Sequence, residues 1–230
     1  MNKNNLAVIV GGTGAIGESI ANEISKIGFS DILKIGTKTT PSIDFNNENT
    51  ILDAIEFVKK KNKPISIFFD ATGILHENNV MPEKSLKKIE FEFVKKNFII
   101  NAIGPALLIK HFTPLLDKEE KSVFASLSAK VGSIGDNGYG GWYSYRASKA
   151  ALNQFIKTAS IEMKVKNRNA IFVALHPGTV RSNLSEPFQK TNLKIQNPEE
   201  SAKHLVKIIN SIDQSQTGNL FNWDGSEIAW

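Results

Sequence analysis

Leu6-Ala-Val-Ile-Val10 is an unbroken apolar run, and runs of similar character recur at residues 32–37, 65–70, 122–127, 170–175 and 218–222, with a shorter one at 42–44. Continuous rather than alternating apolar runs suit strands buried on both faces. Between them the apolar positions change to helical spacing, as at Ile16, Ile20, Ile24 and Ile27. Helices are predicted near residues 15–28, 48–62, 83–116 with a break inside, 143–166 and 198–212. Strands alternating with helices predict an α/β fold of the Rossmann type, a doubly wound parallel sheet covered on both faces and joined by right-handed crossovers.

Composition narrows this picture without changing it. A chain of 230 residues, 41% apolar, is long enough for one such domain over residues 1–230 and has no repeat or low-complexity linker. With no charged-then-apolar leader and no apolar run approaching ~20 residues, neither export nor a membrane span is expected. The chain has no cysteine, which excludes disulfides, thiol catalysis and cysteine-held metal, and agrees with a cytoplasmic location. No metal site is expected. The net charge of +5 is gathered in pairs and triplets such as Lys59-Lys60-Lys61, Lys87-Lys88 and Lys95-Lys96. These read as solvated helix faces and not as a nucleic-acid patch, since no aromatic stripe interleaves them.

The first strand runs straight into Gly11-Gly12-Thr13-Gly14-Ala15-Ile16-Gly17 and then a helix. Strand, glycine-rich turn and helix N-terminus together form a cradle for pyrophosphate, because bare backbone allows close approach and the helix dipole favours negative charge. The spacing departs from the usual Gly-x-Gly-x-x-Gly: Gly11, Gly14 and Gly17 fit G-x-x-G-x-x-G, while Gly11, Ala15 and Gly17 fit G-x-x-x-G-x-G with alanine at the middle glycine. About 130 residues on stands Tyr145-Arg-Ala-Ser-Lys149. Four residues apart on a helix, the tyrosine and lysine share a face, so the ammonium is expected to favour the phenolate and bring Tyr145 toward a useful pKa. The second strand leaves through Ile35-Gly-Thr-Lys-Thr39. With no acidic residue there for the ribose hydroxyls of NAD, and Lys38 with the hydroxyls of Thr37 and Thr39 at hand, NADP is favoured over NAD.

Several separated stretches carry a resemblance to one family: Gly73-Ile-Leu-His76, Pro82-Glu-Lys-Ser-Leu86, Asn101-Ala-Ile-Gly-Pro105, Lys110-His-Phe-Thr-Pro114, Gly140-Gly-Trp-Tyr-Ser-Tyr-Arg-Ala-Ser-Lys149, His176-Pro-Gly178 and the ending Phe221–Trp230. In these the chain resembles the short-chain dehydrogenase/reductases along nearly its whole length, most closely the C-factor (cell-to-cell signalling) branch and related small carbonyl reductases. The resemblance implies an NADP(H)-dependent oxidoreductase acting on a carbonyl or secondary alcohol. In it Tyr145 is acid and base, Lys149 tunes the tyrosine and holds the ribose, and Asn101 supports a proton relay. It implies a serine that polarises the substrate oxygen: matching Gly132 to the family's glycine puts Ala129 at that position, a one-residue insertion after Ser128 gives it to Ser128, and the alternatives are Ser126 or no serine. The cofactor would meet Gly11, Thr13, Gly14, Ala15, Ile16, Gly17, Thr37, Lys38, Asp44, Phe45, Thr72, Gly73, Pro177, Gly178, Val180 and Ser182, besides Tyr145 and Lys149. Asp70-Ala-Thr-Gly73 replaces the family's Asn-Asn-Ala-Gly, so the usual asparagine support is missing, and Asp70 is taken as structural. His76, His111, His176 and His204 are assigned to helix packing or surface. The short segment between residues 183 and 196 implies little lid and an open pocket.

The resemblance also implies a homodimer through the helices carrying Asn101 and Tyr145, with Leu107, Leu108, Phe155, Ile156 and Ile161 as apolar surface. A second reading stays open, that of a signalling or binding module that keeps the dinucleotide site while turnover is incidental.

Overall fold

The computed structural model describes residues 1–77, 80–182, 184–188 and 195–230. In chain order the main elements are β1 (Leu6–Val10), α1 (Ala15–Lys26), β2 (Ile32–Ile35), α2 (Glu48–Lys59), β3 (Ile65–Asp70), α3 (Phe91–Phe98), α4 (Gly104–Phe112), β4 (Ser122–Leu127), α5 (Tyr143–Lys166), β5 (Ala170–His176), β6 (Thr179–Val180), β7 (Ile195–Gln196), α6 (Pro198–Ser211), β8 (Asn219–Asn222) and β9 (Glu227–Ile228). Seven strands form one sheet in the order β2-β1-β3-β4-β5-β8-β9. Every pairing in it is parallel except β8 with β9.

The continuous apolar runs mean what they suggested. Each central strand sends alternate side chains to two separate apolar layers. Val8, Phe68, Phe124 and Phe172 meet α2, α4 and α5 on one face, while Ile9, Phe69, Val123 and Val173 meet α1 and α6 on the other. On the first face Phe124 stacks between Phe68 and Phe172, with ring centroids 4.5 and 5.3 Å away. The central strands β1, β3, β4 and β5 are buried on both faces and so lack the polar alternation of a half-exposed sheet, whereas the edge strand β2 exposes Lys34.

Element ends differ from the sequence reading where a local bond intervenes. The second strand stops at Ile35, and residues 42–44 contribute two isolated bridges, Ser42 to Gly36 and Asp44 to Asn47, and not a strand. The long third helix begins at Phe91, because residues 84–90 are exposed and form one short turn only. Inside that helix, Ile99–Ile103 forms a π-helical turn between α3 and α4. The β6–β7 pair and the β8–β9 hairpin have too few residues to leave a periodic signal. The helical run Phe91–Leu115 passes a length-and-composition test for crossing a membrane, a test that core helices also pass. In the fold Leu108 and Phe112 of that run lie wholly inside the core.

The chain moves outward from β1 to β2 and then returns to β3 on the other side of β1. That reversal leaves a crevice at the C-terminal ends of β1 and β3, the place where open parallel sheets take ligands.

Candidate active site

Three cavities run side by side along that crevice. The middle one, about 780 Å³, is lined by Thr13, Gly14, Ala15, Ile16, Gly17, Gly73 and Ser182. Toward β2 it adjoins a cavity of about 430 Å³ bounded by Gly36, Thr37, Asp44, Phe45 and Thr72, sharing Thr13, Gly14 and Gly73 with it. Toward β5 it adjoins a third, also about 430 Å³, where Ser128, Tyr145, Pro177, Gly178 and Val180 meet, and Ile16, Ser182 and Leu184 are shared. Most of the sequence-predicted residues are thus brought into one trough, while Lys38, Asn101 and Lys149 do not line it.

Glycine is required at the turn by close approach. A Cβ on Gly17 would lie 2.3 Å from the Gly11 carbonyl oxygen, and Gly11, at φ +75°, would meet the Ala71 backbone at 2.9 Å. Gly14 precedes α1 without a side-chain cap, so the helix's first N–H groups face the middle cavity unclaimed by a side chain. Bare backbone, an uncapped helix start and a trough of this length fit a dinucleotide. Gly178, at φ +78°, is likewise enforced, since a Cβ there would lie 2.5 Å from Gln196 Nε2.

At the β2 end, Lys38 is exposed and Thr37 lines the cavity, but Thr39 is a correction: its hydroxyl accepts from Gly36 N–H and donates to the Pro41 carbonyl at 2.6 Å, closing the loop instead of facing a ligand. Asp44 accepts from Asn46 N–H and from the Asn46 amide, both at 2.9 Å, and these bonds hold its carboxyl below the usual range. Phe45 is pressed against Gly104, where any Cβ would collide with its ring.

At the β5 end, Ser128 and Tyr145 line the same apolar cavity with Leu75, Val131, Trp142 and Phe188. Ser128 Oγ donates to Asn153 Oδ1 at 2.6 Å. Ser126 is turned inward and donates to Asp70 Oδ2 at 2.5 Å, which removes it from the reacting position. Lys149 Nζ lies under Gly73 and donates to the Leu127 carbonyl at 2.8 Å. Burial pushes this lysine down to about 8, against the pull of Asp70.

Two expectations are overturned. Tyr145 is not brought down by its lysine: burial pushes the phenol up, and Lys149 donates to the Leu127 carbonyl. His176 is not on a helix but is the last residue of β5, partly exposed and lining the third cavity, with burial of its ring pushing it down to about 4. Its Nδ1 has no hydrogen-bond partner. Of the other histidines, His111 pairs with Glu48 and His204 with Gln196, while His76 lies in a loop with its ring edge-on to Phe188.

Asn101 sits in the π-helical turn with all of its side chain committed. Oδ1 accepts from Ile74 N–H and Nδ2 donates to the Ile74 carbonyl, both at 2.8 Å, while Nδ2 also reaches Ser148 Oγ at 3.1 Å. It clamps the Gly73–Ile74 loop onto α5. Asp70 is structural in the same sense, gathering Thr72 N–H, Thr72 Oγ1 and Ser126. Ser182 Oγ leans on the Val180 carbonyl at 3.4 Å, and Pro177 accepts from Ser201 at 2.9 Å. Leu184 and Phe188 border the cavity, while much of the expected short lid lies outside the described residues. Trp142 and Arg181 also line these cavities and went unassigned from sequence, because neither belongs to a spacing motif.

A sheet of this topology, a glycine turn at its switch point and a tyrosine and lysine on one helix define a class, and residues 34–193 match the short chain dehydrogenase family model. The chain belongs to that family, and is an oxidoreductase of the short-chain dehydrogenase/reductase type. Among its relatives are the 1-hydroxy-2-glutathionyl-2-methyl-3-butene dehydrogenase of Rhodococcus sp. (strain AD45), 25% identical over 97% of this chain and 98% of that one, and the C-signal of Myxococcus xanthus, 27% identical over 64% of this chain and 84% of that one. The second agrees with the C-factor-like branch read from the motifs. In fold it is similar to the carbonyl reductase Sniffer of D. melanogaster, with TM-score 0.84, 20% identity and 99% of both chains covered. It is similar too to the NADPH-bound carbonyl reductase from chicken fatty liver, with TM-score 0.85 and 19% identity over 99% of this chain and 94% of that one.

Proposed function

We propose that the chain, acting as one domain over residues 1–230, is an NADP(H)-dependent reductase, or reversible dehydrogenase, that interconverts a carbonyl and a secondary alcohol. The observation that carries this reading is the continuity of the glycine-turn trough with the cavity holding Ser128 and Tyr145. When bound, the nicotinamide cofactor supplies the hydride. The protein supplies position and protons. Residues 11–17 of the turn and the start of α1 hold the pyrophosphate, Asp44 and Phe45 border the adenine end, and Lys38 with Thr37 takes the 2′-phosphate.

Ser128 holds the substrate oxygen and Tyr145 exchanges the proton with it. A phenol raised by burial keeps its proton at neutral pH, which suits a donor and hence the reducing direction. Lys149, beneath Gly73, holds the ribose and lends positive charge, and Asn101 steadies the loop above it. The cavity walls of Leu75, Val131, Trp142, Leu184 and Phe188 favour a bulky apolar carbonyl compound. The outward residues of α4 and α5, among them Phe155 and Ile161, support a homodimer through these helices.

The likeness to the C-signal supports a second reading, a signalling module with incidental turnover. One substitution separates the two. Tyr145→Phe keeps ring volume and removes the transferable proton, so NADPH consumption with a panel of apolar aldehydes and ketones is expected to fall by about 10²–10⁴ while NADPH affinity is unchanged. Tyr143→Phe should keep most activity, since Tyr143 has no lysine four residues on. A Tyr145→Phe protein turning over at the unmodified rate would leave the signalling reading as the better one.

A further inference from the structure

Glu83 is a carboxylate with 2% of its surface exposed, at the edge of a stretch, residues 84–92, that is exposed throughout. Burying a carboxylate is costly unless it is well bonded. Its bonds go to the start of α5, sixty residues on in sequence. Glu83 Oε2 accepts from Ser144 N–H at 3.2 Å, Oε1 accepts from the Ser144 hydroxyl, and the Glu83 carbonyl accepts from Trp142 N–H at 2.5 Å.

Helix α5 needs such help. The residue before it, Trp142, has left-handed backbone at φ +52°, follows two glycines also at positive φ, and gives no side-chain cap. The glycines take positive φ freely, but left-handed backbone at Trp142 is strained and persists only when surrounding bonds over-determine it. The carboxylate meets the helix where free N–H groups and the positive dipole end lie. The next residue after this clasp is Tyr145, and the Trp142 ring stands edge-on to both Tyr145 and Phe188, at 6.2 and 5.0 Å between centroids.

We propose that Glu83 is a positioning residue for the reaction: from outside α5 it closes that helix's first turn and so fixes where Tyr145 and Trp142 stand in the cavity. This rests on the reading of Tyr145 as the proton donor. Glu83 does not touch the reacting atoms and acts through the geometry of the turn. Its complement is on the far side, where Asn101 bonds Ser148, whose hydroxyl donates to the Tyr145 carbonyl at 2.9 Å.

The test compares Glu83→Ala, Glu83→Gln, Ser144→Ala and Tyr145→Phe in NADPH-dependent reduction of 4-nitrobenzaldehyde, with hydrogen exchange of the amides of residues 142–146 read on the same proteins. Glu83→Ala is expected to lower kcat by roughly 10- to 100-fold, the scale of a small misplacement of a catalytic group. It should leave the NADPH Kd unchanged and speed exchange at 142–146. Glu83→Gln should recover most of the loss, because the amide can accept from Ser144 N–H and donate to the Ser144 oxygen. A kcat for Glu83→Gln as low as for Glu83→Ala would overturn action through hydrogen-bonded geometry. So would unchanged exchange, or an unchanged kcat, in Glu83→Ala while Tyr145→Phe is inactive. Should Glu83→Ala fail to fold, Ser144→Ala removes one donor and must show the same fall in kcat and rise in exchange at smaller amplitude, or the proposal fails. Full activity of Tyr145→Phe would instead defeat the tyrosine reading, and accelerated exchange alone would then leave Glu83 a structural cap and overturn the proposal.

Discussion

His176 closes β5 with an Nδ1 that has no partner, and burial holds the ring neutral down to about pH 4 against an ordinary value of 6.5. The unfolded chain takes up a proton on this residue below pH 6.5 and the native one does not, so its share of stability is intact above 6.5 and is lost as pH falls toward 4. The loss is on the order of 3 kcal/mol. Urea midpoints at pH 7 and pH 4.5 are expected to differ less in His176→Gln than in the unmodified protein; equal differences would refute this origin. Asp70 acts in the opposite sense on Lys149, raising a pKa that burial has pushed to about 8. Asp70→Asn removes that support, so the alkaline limb of kcat should move to lower pH. An unmoved limb would mean that Lys149 does not feel this carboxyl during turnover. Neither effect was legible beforehand, because burial and a partner 79 residues away leave no local trace. Cofactor choice was legible at residue scale: Lys38→Ala should narrow the preference for NADPH over NADH, and equal affinities of the unmodified protein for both would sink it.

At the scale of elements, the turn between β1 and α1 has the least tolerance. Gly17→Ala would drive a methyl to 2.3 Å from the Gly11 carbonyl, and α1 cannot retreat because Ile20 and Ile24 are sealed in the core. A cost of about 1–3 kcal/mol is expected with loss of NADPH binding, measured by thermal melting and by titration. The elements with strong period were readable. The limits of β1, β3, β4 and α5 coincide with the sequence reading because each has a sharp change of apolar pattern at both ends. Residues 42–44 were misread since three residues making two isolated bridges have the composition of a strand without its ladder. The glycine turn and the tyrosine–lysine pair were visible because backbone approach and helical spacing are local constraints. Which serine faces the cavity was not, and was decided only by where Asp70 draws Ser126.

For the molecule as a whole, the long helix bears on both core and association. Leu108 and Ile156, expected at an interface, are sealed in the core, and Leu107 packs beside them. Ile103, Phe155, Ile161 and Val165 remain outward. Sedimentation at micromolar concentration is expected to give a species of twice the 25.4 kDa chain, and Ile161→Asp to return it to the monomer. A 25.4 kDa species in the unmodified protein would end the dimer proposal. The π-helical turn at Ile99–Ile103 governs this division by phase. An α-helix advances about 100° per residue, and a π turn absorbs one residue beyond the α-helical count. Were that extra residue carried in plain α-helix instead, everything from Gly104 to Phe112 would rotate by that angle, turning Leu108 and Phe112 away from the core and Lys110 toward it. The register of one irregular turn therefore decides which stripe of the helix is interior and which is left for a partner.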